Sequence, residues 1–122
     1  MSAWTWFGVA LLGGVGTAAR FFVVALVSSR TGGSPPLGVL AVNASGSLLL
    51  GLLAGLTVGA SLLVLAGSAT LGSYTTFSTW MLETQRLAED ARRWAAVANV
   101  LVSLLVGVAA IVLGRKIGAQ LG

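Results

Sequence analysis

Gly72-Ser73-Tyr74-Thr75-Thr76-Phe77-Ser78-Thr79-Trp80-Met81-Leu82-Glu83 is the stretch that decides the fold. It interrupts a hydrophobic segment with a glycine, five serine and threonine hydroxyls, three aromatic rings and a carboxylate. Hydrocarbon penalises such polarity, because polar groups at membrane depth must be satisfied by protein, water or an ion. The stretch therefore predicts a site, and our working hypothesis is that it lines an ion pathway.

The composition places the chain in a membrane. Of its 122 residues, 57% are hydrophobic and only 8% are charged, whereas soluble surfaces are rich in charge. The chain has no cysteine and no histidine, which excludes disulfides, thiolate metal sites and imidazole bases. Its three acids, Glu83, Glu89 and Asp90, are too few to favour a carboxylate metal cage or a paired-carboxylate hydrolase. We therefore expect no enzymatic activity, and the scattered basic residues predict no nucleic-acid partner.

Four hydrophobic windows are long enough to cross a bilayer, which takes about 20 residues. They cover residues 4–27, 36–57, 62–87 and 95–113, and we predict a break in the third at 72–76. Glycine costs about 1 kcal/mol in a helix interior, and threonine can bond its own backbone. The sequence thus predicts an all-α integral membrane protein of one domain with a broken third helix. Carbonyls exposed by such a break are what transporters use to bind a cation.

Two polar residues in the first two spans have two interpretations each, and two glycines have one. Arg20 either snorkels to the interface or faces an aqueous vestibule, where it would concentrate anions. Asn43 carries two N–H donors without charge, and it serves either an interhelical hydrogen bond or an ion path. Gly51 and Gly55 are spaced for close packing against another helix.

The fourth span has one polar face, because Asn99, Ser103 and Gly107 are spaced four residues apart. This face either extends a polar track beside the broken segment or serves helix packing. Four spans put both termini on one side of the membrane, and the basic residues slightly favour the opposite, loop side as cytoplasmic. Four short helices can hardly enclose a pore, so we expect an oligomer in the lipid bilayer.

Residue types alone leave two further functions open. A small proton-coupled exporter needs a carboxylate that titrates within the membrane, and Glu83 is the candidate for that role. It lies late in the third span rather than centrally in the first, where Arg20 stands instead. A non-transporting membrane assembly subunit is the second alternative.

The chain resembles the Fluc/CrcB fluoride channels over nearly its whole length. The resemblance rests on Gly13-Gly14-Val15-Gly16-Thr17-Ala18-Ala19-Arg20, on Gly38-Val39-Leu40-Ala41-Val42-Asn43-Ala44-Ser45-Gly46 and on Thr75-Thr76-Phe77-Ser78-Thr79. It implies a four-helix subunit of an antiparallel, dual-topology dimer in a prokaryotic plasma membrane. Such channels release cytoplasmic fluoride passively and so lower its toxicity. A homodimer is favoured, and a heterodimer with a related chain stays open.

The resemblance also implies roles for individual residues. Gly72 and Thr75 fall where backbone carbonyls of both subunits hold a structural sodium ion at the dimer interface, and Arg20 falls at the vestibule. The residues that match the fluoride path are Asn43, Phe77, Ser78, Thr79, Trp80, Glu83 and Ser103.

Three positions depart from the pattern of the family. Trp80 replaces the second of two pore phenylalanines, Ser73-Tyr74 replaces a glycine and an apolar residue, and Gly107 stands where we expect a hydroxyl. Tryptophan keeps an electropositive ring edge and adds an N–H donor, although its bulk can narrow or close that pore.

Overall fold

The described part of the chain, residues 1–33 and 35–122 of a computed structural model, consists of helices and the turns between them. The helices are α1 (Ala3–Arg30), α2 (Pro35–Leu56), α3 (residues 60–74), α4 (Ser78–Glu89) and α5 (Arg93–Leu121). Among these residues, α1, α2 from Pro36 onward and α5 are long and apolar enough to cross a membrane. The prediction of an all-α membrane protein is therefore confirmed.

Two helices extend beyond their predicted spans. We expected α1 to stop near residue 27 and a polar turn to follow at 28–35, yet α1 continues to Arg30, and Ser34 lies outside the described residues. We expected α5 to stop at residue 113, yet it continues to Leu121. The physical reason is that hydropathy marks where the apolar stretch ends, whereas the helix ends where backbone hydrogen bonding ends.

Helix α3 changes its winding along its length. Leu63–Leu71 is wound as a π-helix, and the hydroxyl of Thr70 donates to the carbonyl of Leu65, 2.7 Å away and five residues earlier. Gly72–Tyr74 returns to α-helical winding. The predicted break at 72–76 is therefore misplaced at its start, because the main-chain N–H of Thr75 still donates to the carbonyl of Leu71. The residues between α3 and α4 that are not helical are 75–77.

The closest helix pair is formed by α2 and α5, which pack along two glycine pairs. A Cβ atom on Gly51 would collide with the main chain at Ile111, and one on Gly55 would collide with it at Arg115. From the other side, Gly114 and Gly118 meet the main chain of α2 in the same way. Residue numbers increase in the same direction in both helices along this contact, so the two helices run parallel. The predicted close packing of the α2 glycines is confirmed, and we call this contact the glycine seam.

Helix α1 packs on α3 by the same device. A Cβ atom on Gly16 would collide with the carbonyl of Thr70, and one on Gly13 would lie 3.3 Å from the hydroxyl of Ser73. The buried apolar side chains of the described residues are only Val39, Val42, Ala69 and Ala96. Large apolar side chains instead cover the outside, which suits lipid or a second subunit.

Candidate ion pathway

The residues between α3 and α4 are held by an amide of α2. The main-chain N–H of Thr76 donates to Oδ1 of Asn43 at 2.8 Å, and Nδ2 of Asn43 donates to the carbonyl of Thr76 at 2.9 Å. This double hydrogen bond satisfies the main chain of a non-helical residue, as a buried backbone requires. Of the two roles predicted for Asn43, the structural one is thus met by bonds to the non-helical segment and not by a bond between two helices. One of its two Nδ2 protons is used in it, which leaves the other for a ligand.

The hydroxyl of Thr76 begins the next helix. Its Oγ1 accepts the main-chain N–H of Thr79 at 3.2 Å, which satisfies one of the donors that every helix start leaves unpaired. The hydroxyl of Ser78 lies 3.4 Å from the same oxygen. Thr76 itself is buried, with 8% of its surface exposed. No role was predicted for Thr76 from the sequence, although threonine is a preferred residue at helix starts.

The donor set around Gly72 and Thr75 fits a sodium ion. In a continuous helix their carbonyls would accept the N–H groups of Thr76 and Thr79, but both of those groups donate to side-chain oxygens instead. Two neutral oxygens therefore lack these helical donors, and neutral oxygens suit a hard cation of low charge. The described residues hold no cluster of three His, Cys, Asp or Glu side chains that could bind a metal.

Trp80 is tied to α5 by a cycle of three hydrogen bonds. Its indole N–H donates to the main-chain carbonyl of Asn99 at 3.1 Å. The side-chain amide of Asn99 donates to the hydroxyl of Thr84 at 2.9 Å, and that hydroxyl donates to the carbonyl of Trp80 at 2.9 Å. The extra N–H donor predicted from the tryptophan is thus engaged with the protein.

Three clefts surround this cycle. The central cleft has a volume of 280 Å³ and lies between α2, α4 and α5, with Asn43, Ser47, Trp80 and Ser103 as its polar or aromatic lining. The interruption cleft, of 570 Å³, lies beside residues 75–77 and shares Asn43, Ser47 and Trp80 with the central cleft. The loop-side cleft, of 480 Å³, shares Ser103 with it. The central cleft therefore adjoins both of the others.

The central cleft supplies a hydroxyl that the sequence did not lead us to expect. Ser47 lines it, and its Oγ lies 3.8 Å from where a Cβ atom of Gly107 would be. The hydroxyl missing at Gly107 is thus provided from α2 at nearly the same place. The signal was in the sequence, because Ser47 follows Asn43 by four residues and shares its helix face.

Of the other predicted site residues, some line the clefts and some do not. Phe77 is 69% exposed and lines the interruption cleft, with its ring edge-on to Trp80 at 5.7 Å between centroids. Glu83 lines the loop-side cleft, and its Oε2 is buried without a hydrogen-bond partner among the described residues. The guanidinium carbon of Arg20 lies over the ring of Phe21, 5.4 Å from the ring centroid. Within the described part of the chain, Ser78, Thr79 and Arg20 do not line any of the three clefts.

Comparison with known protein families identifies the chain. A family model described as "CrcB-like protein, Camphor Resistance (CrcB)" matches residues 7–115. The chain belongs to this family. The resemblance on which the sequence analysis relied is therefore confirmed, and the chain is a multi-pass membrane protein.

Several curated relatives carry fluoride in their names. The chain is 53% identical over 116 residues to "Fluoride-specific ion channel FluC 2" of Mycolicibacterium paratuberculosis, covering 95% of this chain and 94% of that one. It is 50% identical over 112 residues to a protein of the same name from Mycobacterium bovis, covering 92% and 89%. It is 35% identical over 117 residues to "Fluoride-specific ion channel FluC" of Solibacter usitatus, covering 92% and 96%. These relatives favour the channel over the exporter and the assembly subunit.

Proposed function

We propose that the chain is the subunit of a fluoride-selective channel through which cytoplasmic fluoride leaves the cell passively. The observation that carries the proposal is the central cleft, where neutral donors converge beside an aromatic ring. Asn43 has a spare amide proton, and Ser47 and Ser103 add hydroxyls. The names of the relatives indicate that the ion is fluoride.

Neutral donors suit the conduction of a small, strongly hydrated anion. A path must replace the water around fluoride at low cost, yet release the ion again, so binding has to stay moderate. Hydroxyls, an amide and the positive edges of Phe77 and Trp80 meet this need without a fixed cation in the central cleft. We propose Ser78, Thr79 and Glu83 as the continuation of the path on α4.

The charged entrance lies at the loop-side cleft. Arg86 and Arg92 line it together with Glu83 and Asp90, and Ser103 connects it to the central cleft. Arginines beside an aqueous opening raise the local concentration of anions. We propose that Arg20 does the same at its own vestibule. A negative-inside potential then drives fluoride outward with about 2.3 kcal/mol per 100 mV.

We propose that two chains assemble as an antiparallel, dual-topology dimer. The interruption cleft is open, and the exposed apolar surface leaves ample room for a second copy. A homodimer is our first proposal. The number 2 in several relatives' names keeps a heterodimer with a related chain as the alternative.

We propose that the carbonyls of Gly72 and Thr75 from both copies hold one sodium ion in that interface. The support is the donor set described above, which gives two neutral oxygens per chain. When bound, sodium would neutralise the carbonyl ends that the interruption exposes, and it takes no part in moving fluoride.

Fluoride efflux from vesicles containing the purified chain tests the function. We expect fluoride to stay inside until valinomycin lets potassium compensate its charge, and then to leave at a rate that does not depend on an imposed pH gradient. Efflux that requires the pH gradient would instead support the exporter with Glu83. Vesicles that retain fluoride in every condition would contradict the proposal.

A further inference from the structure

We propose that Thr76 is the positioning residue of the cation site, an inference that rests on the sodium site proposed above. Thr76 is buried and contacts no ligand itself. It acts through two N–H groups, its own and that of Thr79, which a continuous helix would direct to the carbonyls of Gly72 and Thr75. Both groups are diverted by hydrogen bonds in which Thr76 takes part.

The first diversion frees the carbonyl of Gly72. The N–H of residue 76 would bond to the carbonyl of residue 72 in an α-helix, because helical bonds span four residues. Here it donates to Oδ1 of Asn43 at 2.8 Å. Gly72 is exposed and lines the interruption cleft, so its carbonyl keeps access to a ligand.

The second diversion frees the carbonyl of Thr75. In a continuous helix the N–H of Thr79 would bond to this carbonyl, but Thr75 has extended backbone angles and lies beyond the end of α3. The Thr76 hydroxyl takes that N–H at 3.2 Å. The extended backbone of Thr75 turns its carbonyl out of the helix, and the Thr76 hydroxyl stabilises this interruption by holding the donor that a continuous helix would need.

The arrangement also selects the class of cation. The carbonyl of Thr76 accepts from Nδ2 of Asn43 and is not available as a ligand. Each chain then offers two neutral oxygens from Gly72 and Thr75. The acids of the chain all lie at residues 83–90, on α4 or directly after it, so no carboxylate belongs to the site. A site of neutral carbonyls suits a monovalent cation, whereas divalent ions usually take carboxylates.

Sodium-dependent stability of Thr76→Val and Thr76→Ser tests the inference. A cation that binds only the folded protein raises its thermal midpoint, so the midpoint is measured while sodium replaces choline at constant chloride. In Thr76→Val the Thr79 N–H loses this partner, so the interruption is less stable relative to a continuous helix, in which that N–H would bond to the carbonyl of Thr75. We expect the sodium concentration for half of the rise to increase roughly tenfold, equivalent to about 1.4 kcal/mol. Thr76→Ser keeps the hydroxyl and is expected to match the wild type.

A wild-type sodium response in Thr76→Val would overturn the inference. If Thr76→Val does not fold, Thr76→Ala removes the same hydroxyl with less bulk and carries the same expectation and the same contradiction. A wild type whose midpoint ignores sodium would refute both the sodium site and the role of Thr76. Fluoride efflux from the same preparation then tells separately whether the channel function stands.

Discussion

The glycine seam and the segment at residues 75–77 are made in opposite ways. At the seam, four glycines remove side chains so that α2 and α5 touch through their main chains. At the interruption, the side chains of Asn43 and Thr76 replace the backbone bonds that a helix would make. The seam therefore holds the fold, while the interruption costs helical bonds and exposes polar groups. We therefore expect function at the interruption, where side chains replace hydrogen bonds of the backbone.

A substitution at the seam should have the largest effect on the fold. In Gly114→Leu the new side chain meets the carbonyl of Leu48, which belongs to the main chain of α2 and cannot yield without separating the helices. We expect a loss of about 3 kcal/mol or more in the free energy of unfolding, at or above the usual range for overpacking. The size-exclusion profile and the thermal midpoint of the Gly114→Leu protein check this loss of stability.

The matched control for the seam is Val112→Leu, on the outward face of the same helix with 48% of its surface exposed. It enlarges a side chain without a main-chain obstacle and is expected to leave both readouts unchanged. A stable, monodisperse Gly114→Leu protein would show that the seam does not hold the fold.

A substitution at the interruption should leave the fold and remove the function. Phe77→Ile exchanges an electropositive ring edge for an aliphatic surface that offers an anion nothing. We expect fluoride efflux to fall to the rate of protein-free vesicles, with the elution profile unchanged. Phe22→Ile is the control, because Phe22 on α1 is 68% exposed against 69% for Phe77. Retained efflux in Phe77→Ile would move the path away from this segment.

The smallest effect is expected at Trp80, which links the two regions through Asn99 of α5. Trp80→Phe removes the hydrogen bond to the Asn99 carbonyl but keeps a ring edge at the cleft. We expect a loss of about 1 kcal/mol in stability, and fluoride efflux equal to or above that of the wild type. A folded Trp80→Phe protein without efflux would mean that the indole does more than substitute for a phenylalanine.

The helices and the polar segment could be predicted from the sequence, because hydropathy and residue type report burial and helix propensity directly. The start of the break was predicted at Gly72, because glycine has a low helix propensity, while the structure continues the helix to Tyr74. No role was predicted for Thr76, Thr84 and Ser47, because their functions depend on partners 33, 15 and 60 residues away along the chain. Such pairings are set by helix packing, so the local signals that Thr76 and Ser47 carry, a capping residue type and a shared helix face, do not identify the partners.

Fluoride and chloride lost from the same vesicles, followed with two selective electrodes, test the central claim most directly. The claim is that neutral donors and ring edges along α2, α4 and α5 replace the water around one small anion. Our account predicts that fluoride leaves the vesicles after valinomycin is added and that chloride stays inside. Equal loss of both ions, or retention of both by a folded protein, would contradict it.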